Sequence, residues 1–180
     1  MTETEYLAFD RNSDIKHEYV DGHIIAMTGA SWNHNIICTN VSALLNVNLK
    51  NKNCVVLASD MRIKTPSKTY RYPDAMIVCG APQFIDDRAD TVTNPQVLIE
   101  VLSPSTALVD RNEKLLEYRQ FPMLQEYLLI AQSEARIERF VRQDDDNWLY
   151  TDIVGISKQV HIPSVDCMLP LAEIYAKITF

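Results

Sequence analysis

Glycine is scarce in this 180-residue chain, and its four copies, Gly22, Gly29, Gly80 and Gly155, stand far apart. None falls at the spacing of a phosphate-binding loop, a dinucleotide fingerprint or a G-x-S-x-G nucleophile elbow, so three large enzyme classes are excluded on spacing alone. The four cysteines, Cys38, Cys54, Cys79 and Cys167, include no C-x-x-C pair. Such spacing suggests neither a zinc site nor a disulfide framework, and buried reduced thiols are the expectation. Long apolar runs are missing too: Cys54 to Ala58, Ala75 to Cys79 and Tyr127 to Ala131 are five residues each, against the ~20 that span a bilayer. No membrane helix is expected. The amino terminus, Met1-Thr2-Glu3-Thr4-Glu5, lacks the basic-then-apolar block of a secretory signal, which makes the cytoplasm the expected compartment. Basic residues are outnumbered 17 to 24, for a net charge of -7. A generally adhesive nucleic-acid or anionic-membrane binder is thereby excluded, and any polyanionic partner has to meet a local basic patch.

What is present is the composition of an ordinary globular chain, 47% hydrophobic and 23% charged, and its length suits one domain over 1–180 with a sizeable core. Residues 15 to 28 hold two short β-prone runs around Asp21-Gly22, a strong hairpin signal. From Ser31 the period changes. Ile37, Val41, Leu44, Leu45 and Leu49 fall at helical spacing behind Ser31 as a cap, which predicts an amphipathic helix over about 32–50. Cys54 to Ile63 and Tyr72 to Cys79 read as a strand pair connected through Pro66, Ser67 and Lys68, and Gln96 to Leu102 as a further strand after a polar loop from Ala81 to Pro95. Asp110 and Glu113 match a D-x-x-E capping box ahead of Leu115, Leu116 and Tyr118, with Pro122 as a stop, predicting a second helix over about 111–120. Alternating runs at 126–131, 135–142, 147–154 and 158–162, a turn at Asp144 to Asn147 and a short helix near Leu171 to Tyr175 complete the chain. The sum is an α/β fold: a mixed central sheet with flanking helices, preceded by an N-terminal hairpin.

Strands buried on both faces should be apolar throughout, yet Val97-Leu98-Ile99-Glu100-Val101-Leu102 carries a carboxylate in its middle. Asp74 is a second case, sharing a strand face with Met76 and Val78. An ionised carboxylate among such neighbours costs several kcal/mol unless paired, and two side by side raise each other's pKa. A divalent cation removes both penalties, and magnesium or manganese suits a site of one or two carboxylates. The alternative is that both acids bond to backbone or to arginines such as Arg62 and Arg71. Two of them on strands expected to be neighbours favour the cation. His17, His23 and His161 have no partner at ligand spacing and read as surface residues. Trp32 and Trp148 read as core or rim aromatics, and Met61, Met76 and Met123 as core.

Pro73-Asp74, then Glu100-Val101-Leu102-Ser103-Pro104-Ser105-Thr106, then Asp110-Arg111-Asn112-Glu113-Lys114 with Tyr118 together resemble the Uma-type family of restriction-endonuclease-like proteins, a branch of the PD-(D/E)XK nuclease superfamily. Tyr19-Val20-Asp21-Gly22, the Thr28-Gly29-Ala30-Ser31 turn with His34, and Glu126-Tyr127 extend the similarity over about 15–140. The resemblance implies a restriction-endonuclease-like core holding a divalent metal, with Asp74 and Glu100 as ligands, and it puts Glu18 and His34 where they could approach that metal. An E-x-K motif would place lysine at 102. This chain has Leu102 there, so the usual strand lysine is absent.

Two functional classes follow. One is a Mg-dependent endonuclease that hydrolyses DNA phosphodiester bonds, with Asp74 and Glu100 holding the metal. The other is a catalytically inactive nucleic-acid-binding or assembly module of the same fold. For DNA, the candidate rim is Arg62, Lys64, Lys68 and Arg71, four cations within ten residues and no acid between them; the alternative is a charged edge that prevents strand pairing. Double-strand cleavage would favour a twofold homodimer. The candidate for the missing lysine is Lys114. Glu100 lies two residues before its strand's end, about 7 Å at ~3.3 Å per residue, and Lys114 about 6 Å along the returning helix at 1.5 Å per residue. The two come to similar height. Asp110, Lys114 and Tyr118, at i, i+4 and i+8, are then expected to face one site.

Overall fold

The computed structural model describes residues 1–180. Helix α1, Glu3–Asp10, starts the chain on a capping box in which Thr2 accepts from the Glu5 N–H and Glu5 reaches back to the Thr2 N–H. The Thr2-x-x-Glu5 signal for this helix stands in the sequence, and no helix was expected here. Strands β1, His17–Val20, and β2, His23–Ala26, form the expected hairpin, with Asp21 and Gly22 both at positive φ (48 and 84°), the demand of a two-residue turn that twists with its strands. Helix α2, Trp32–Leu49, begins at Ser31, whose hydroxyl accepts from the His34 N–H, and buries Ile37, Val41, Leu45 and Leu49.

The expected strand over 54–63 is broken. Strand β3, Cys54–Ala58, stops at a turn, and β4, Arg62–Lys64, crosses into another sheet. That sheet has five strands in the order β2-β1-β5-β4-β7, where β5 is Tyr70–Arg71 and β7, Thr91–Val92, is a strand within the expected 81–95 loop. The larger sheet has six strands in the order β11-β10-β9-β8-β6-β3, built from β6, Ala75–Cys79, β8, Val97–Leu102, β9, Glu126–Ala131, β10, Arg136–Arg142, and β11, Trp148–Val154. All its neighbours are antiparallel except β8 and β9. A small pair, β12, Gln159–Ile162, and β13, Cys167–Pro170, and helix α5, Leu171–Ile174, close the chain.

The parallel β8–β9 connection needs a crossover, and the helical segment 107–118 supplies it. This segment starts a turn earlier than expected, with α3 at Ala107–Val109, then a π turn at Asp110–Lys114 and α4 at Leu115–Tyr118. The Asp110/Glu113 capping box does not form: Ser103 accepts from the Thr106 N–H ahead of the helix, and Asp110 is buried inside it. Period-two alternation along β8 splits the core. Val97, Ile99 and Val101 pack with α2, α5 and the small pair, whereas Leu98 and Leu102 pack with Tyr118, Phe121 and Leu124 under the crossover. Glu100 takes the middle place in the Leu98–Leu102 row.

Four local expectations are corrected. Cys54 and Cys79 are not reduced thiols but a cross-strand disulfide, joined because the β3–β6 register sets them opposite each other across 25 residues of sequence; only Cys38 and Cys167 are free. His17 is buried, with its backbone N–H donating to Asp10 and its ring against Phe9. Trp32 is 79% exposed at the first turn of α2, and Met123 is exposed beside Pro122.

Candidate active site

Asp74 precedes β6, and β6 pairs with β8 through Ala75 and Ile99. One step further that register sets Asp74 beside Glu100, and Asp74 Oδ2 accepts from the Val101 N–H at 2.7 Å. Asp74 is half-buried; Glu100 is 3% exposed. Glu100 Oε1 accepts from Lys114 Nζ at 3.0 Å and from the Tyr118 hydroxyl at 2.8 Å. Lys114, 7% exposed, also lies 3.0 Å from Asp110 Oδ1 and 3.8 Å from Glu18 Oε1. Asp110 and Lys114 bound a π turn and are both buried, on the face that carries Tyr118. The Tyr127 hydroxyl donates to the Asp110 carbonyl within that turn, at 3.0 Å.

Glu18, on β1, accepts from Arg71 at 2.8 Å and from the Tyr72 N–H, and Arg71 makes a two-pronged pair with Glu117. The fourth wall is α2. His34 Nε2 lies 3.2 Å from Asp74 Oδ2, and the Cys38 thiol, one turn on, lies 3.4 Å from His34 Nδ1. Cys38 was missed in the sequence, although His34-x-x-x-Cys38 on a predicted helix is the spacing that puts both on one face.

The site is rich in acid. Glu18, Glu100 and Asp110 converge on one lysine, Asp74 lies beside them against His34, and Arg71 is shared away to Glu117. Burial pushes the Glu100 carboxyl up to about 8; Lys114 opposes that rise and Asp74 adds to it. Burial alone would lower Lys114, but Glu100, Glu18 and Asp110 outweigh it and hold the ammonium above its ordinary range. The two directions agree, because Lys114 serves three acids while Glu100 has only a share of one cation. Burial works against the His34 imidazolium, yet its hydrogen bond and attraction to Asp74 leave its pKa raised. Burial, Asp74 and Glu100 together push the Cys38 thiol up.

All of Asp74, Glu100, Lys114, Glu18, His34, Asp110 and Tyr118 thus meet in one cluster. The four cations of the expected rim do not. Arg62 and Arg71 are 2% and 1% exposed. Arg62 pairs with Asp10 and Asp90, Arg71 with Glu18 and Glu117, and Lys64 with Glu3 at 2.6 Å, which leaves Lys68 alone as an exposed cation without an acid partner. Acids remote in sequence took the charges that the local stretch lacked.

A mixed sheet whose adjacent strands present Asp74 and Glu100, with a crossover helix behind, is a restriction-endonuclease-like core of the PD-(D/E)XK type. The family model described as "Uma2: Putative restriction endonuclease" matches residues 3–171, and the chain belongs to that family. Two Synechocystis proteins, both described as uncharacterized, are similar along nearly their whole length. Protein sll1609 is 39% identical over 161 residues, 89% of this chain and 91% of its own, and slr1290 is 34% identical over 183 residues, 100% and 94%. Among solved structures, a crystal structure titled as a putative nuclease belonging to DUF820 from Anabaena variabilis superposes with a TM-score of 0.81 over 98% of each chain at 17% identity, a likeness of fold.

Proposed function

We propose that this protein is a metal-dependent endonuclease that hydrolyses DNA phosphodiester bonds, with Asp74 and Glu100 as metal ligands and Lys114 as the catalytic lysine carried by the crossover helix. The observation that carries this reading is the 3.0 Å contact between Lys114 Nζ and Glu100, which brings an ammonium from a helix to the place that Leu102 cannot serve. The residues fit a divalent cation. Protein hydrogen bonds fall on one oxygen of each acid, Oδ2 of Asp74 and Oε1 of Glu100, and the acid excess around Glu100 is what a cation would relieve. Oxygen donors of this kind suit magnesium or manganese. When bound, such an ion supplies charge neutralisation and polarisation at a phosphoryl oxygen.

The chain's own groups have separable tasks. The Val101 N–H and His34 hold Asp74, and Tyr118 fixes the carboxylate plane of Glu100. Lys114 places positive charge beside the scissile phosphate, where negative charge grows in the transition state. Asp110 and Glu18 keep that lysine protonated and restrict its swing. Glu18, held by Arg71, thereby acts through Lys114.

The test is cleavage of supercoiled and linear DNA with magnesium and manganese by the wild type beside Asp74→Ala, Glu100→Ala and Lys114→Ala, with calorimetry of metal binding on each. The expected result is metal binding and cleavage in the wild type alone, with Lys114→Ala retaining metal without cleavage. A wild type that binds neither metal, or Asp74→Ala cutting at the wild-type rate, overturns the proposal in favour of the inactive module.

A further inference from the structure

The donors around Asp74 are of two kinds. Toward β8 and the crossover helix they are oxygens. Toward α2 they are an imidazole and a thiol: His34, Cys38 and Asp74 each offer one ligand atom, and the three atoms lie within 4.8 Å of one another. The 3.4 Å between Cys38 Sγ and His34 Nδ1 compares with about 3.6 Å for the N–S edge of a tetrahedral zinc site with bonds of ~2.1 and ~2.3 Å; Asp74 Oδ2 lies 3.2 Å from the other ring nitrogen, Nε2, and joins the set through the common 4.8 Å spacing. The three side chains are already assembled on rigid elements. Ile37 and Val41, next to Cys38 on the buried stripe of α2, fix that face against the sheet, and the Val101 N–H fixes Asp74. Each of the three is partly buried, so the cluster is neither an open surface nor sealed.

We infer that Asp74 is shared between two metal preferences, and that His34, Cys38 and Asp74 form a site for a borderline-soft divalent cation of the zinc and cobalt class. This deepens the endonuclease reading, resting on Asp74 as a ligand but not on cleavage. The chemical reason is ligand softness: thiolate and imidazole select zinc or cobalt, whereas magnesium prefers oxygen and its own water. Three protein donors leave the fourth tetrahedral position to solvent or substrate, the open arrangement of a reactive rather than a purely structural zinc site. On binding, the thiol proton leaves to solvent and the sulfur lone pair forms the metal bond.

Cobalt reports the thiolate directly. Titration of the full-length protein with Co²⁺, without reductant so that the Cys54–Cys79 disulfide stays closed, should give a near-ultraviolet sulfur-to-cobalt charge-transfer band saturating at one equivalent. The band should survive in Cys167→Ala, whose thiol is the other free one, and in Glu100→Gln. It should vanish in Cys38→Ala and in Cys38→Ser, the second keeping the side-chain volume, and zinc affinity by calorimetry should fall at least about ten-fold, since even outer contacts of a metal site cost that much. Cobalt binding without the band, or a band that persists in both Cys38 variants, overturns the inference. Magnesium calorimetry separates the two failures: a cobalt band with no magnesium binding sinks the catalytic reading alone, and magnesium binding with no cobalt band sinks this one alone.

Discussion

Two buried polar clusters meet the β1 hairpin strand, one at His17 and the other at Glu18, and they differ in how their charges are balanced. Around Asp10, every acid oxygen finds a donor. Oδ2 takes Arg62 and the Tyr72 hydroxyl, Oδ1 takes the His17 N–H, and Arg62 and Arg11 together hold Asp90. Hydrogen bonding from Arg11 pulls the Asp90 carboxyl down to about 2. Around Glu100, donors run short and burial pushes the carboxyl up to about 8. The first cluster ties α1, β1 and β4 into one unit. The second leaves Glu100 with one shared ammonium and one hydroxyl, the imbalance on which the proposed metal site rests.

The sharpest way to break this contrast is to remove one member from the closed cluster. Arg62→Ala leaves Asp10 buried without its cation and should cost about 3–5 kcal/mol of stability by urea unfolding. Unchanged stability would mean that Arg62 is dispensable to the fold and free to serve a ligand after all. Removing a member from the open cluster should act on rate instead. Lys114→Ala is expected to lower cleavage by about 100-fold or more, the loss typical of a charge-stabilising group, in single-turnover assays on protein that keeps its fold by circular dichroism. A variant cutting at the wild-type rate would place the lysine elsewhere.

Smaller effects sharpen the same contrast. Magnesium at ten times its dissociation constant should stabilise the wild type by about 1.4 kcal/mol, seen as a rise in melting temperature that Asp74→Ala lacks; a rise in both would put the ion outside the Asp74 site. The smallest effect concerns pH. Asp90 titrates lower in the folded protein than in the unfolded chain, so its stabilising share is fully present above the ordinary aspartate value near 3.8 and fades as pH falls toward about 2. Asp90→Asn should therefore flatten the acid limb of a stability–pH curve below pH 4 relative to the wild type. Parallel curves would show that Arg11 contributes nothing through Asp90.

Much of the site was legible because its members betray themselves locally. Glu100 is the one charge in an apolar strand, Asp74 breaks the face of Met76 and Val78, and Asp110, Lys114 and Tyr118 repeat at helical spacing. The reach from Lys114 to Glu100 followed from rise per residue, and it holds even though the helix starts a turn early and passes through a π turn. Cys38 escaped because a thiol among apolar neighbours on a helix looks like core until Asp74 is seen to approach it from the start of β6. The basic stretch misled for the complementary reason: its partners Asp10, Glu18, Asp90 and Glu117 lie 28 to 53 residues away along the chain.

The chain's own periodicities determined its local elements: the hairpin at Asp21-Gly22, the long helix behind Ser31, the alternating strands, and the two carboxylates out of place among them. Those features depend on neighbours within a few residues, which the backbone's two repeats of 3.6 and 2.0 expose directly. Only the tertiary structure decided which charges are spent and which are kept. Pairing Cys54 with Cys79, neutralising Arg62 and Arg71, and bringing His34 and Cys38 up to Asp74 all depend on strand register and on contacts between remote segments. A side chain's local sequence sets its element and face, but its charge balance belongs to whatever the fold packs against it.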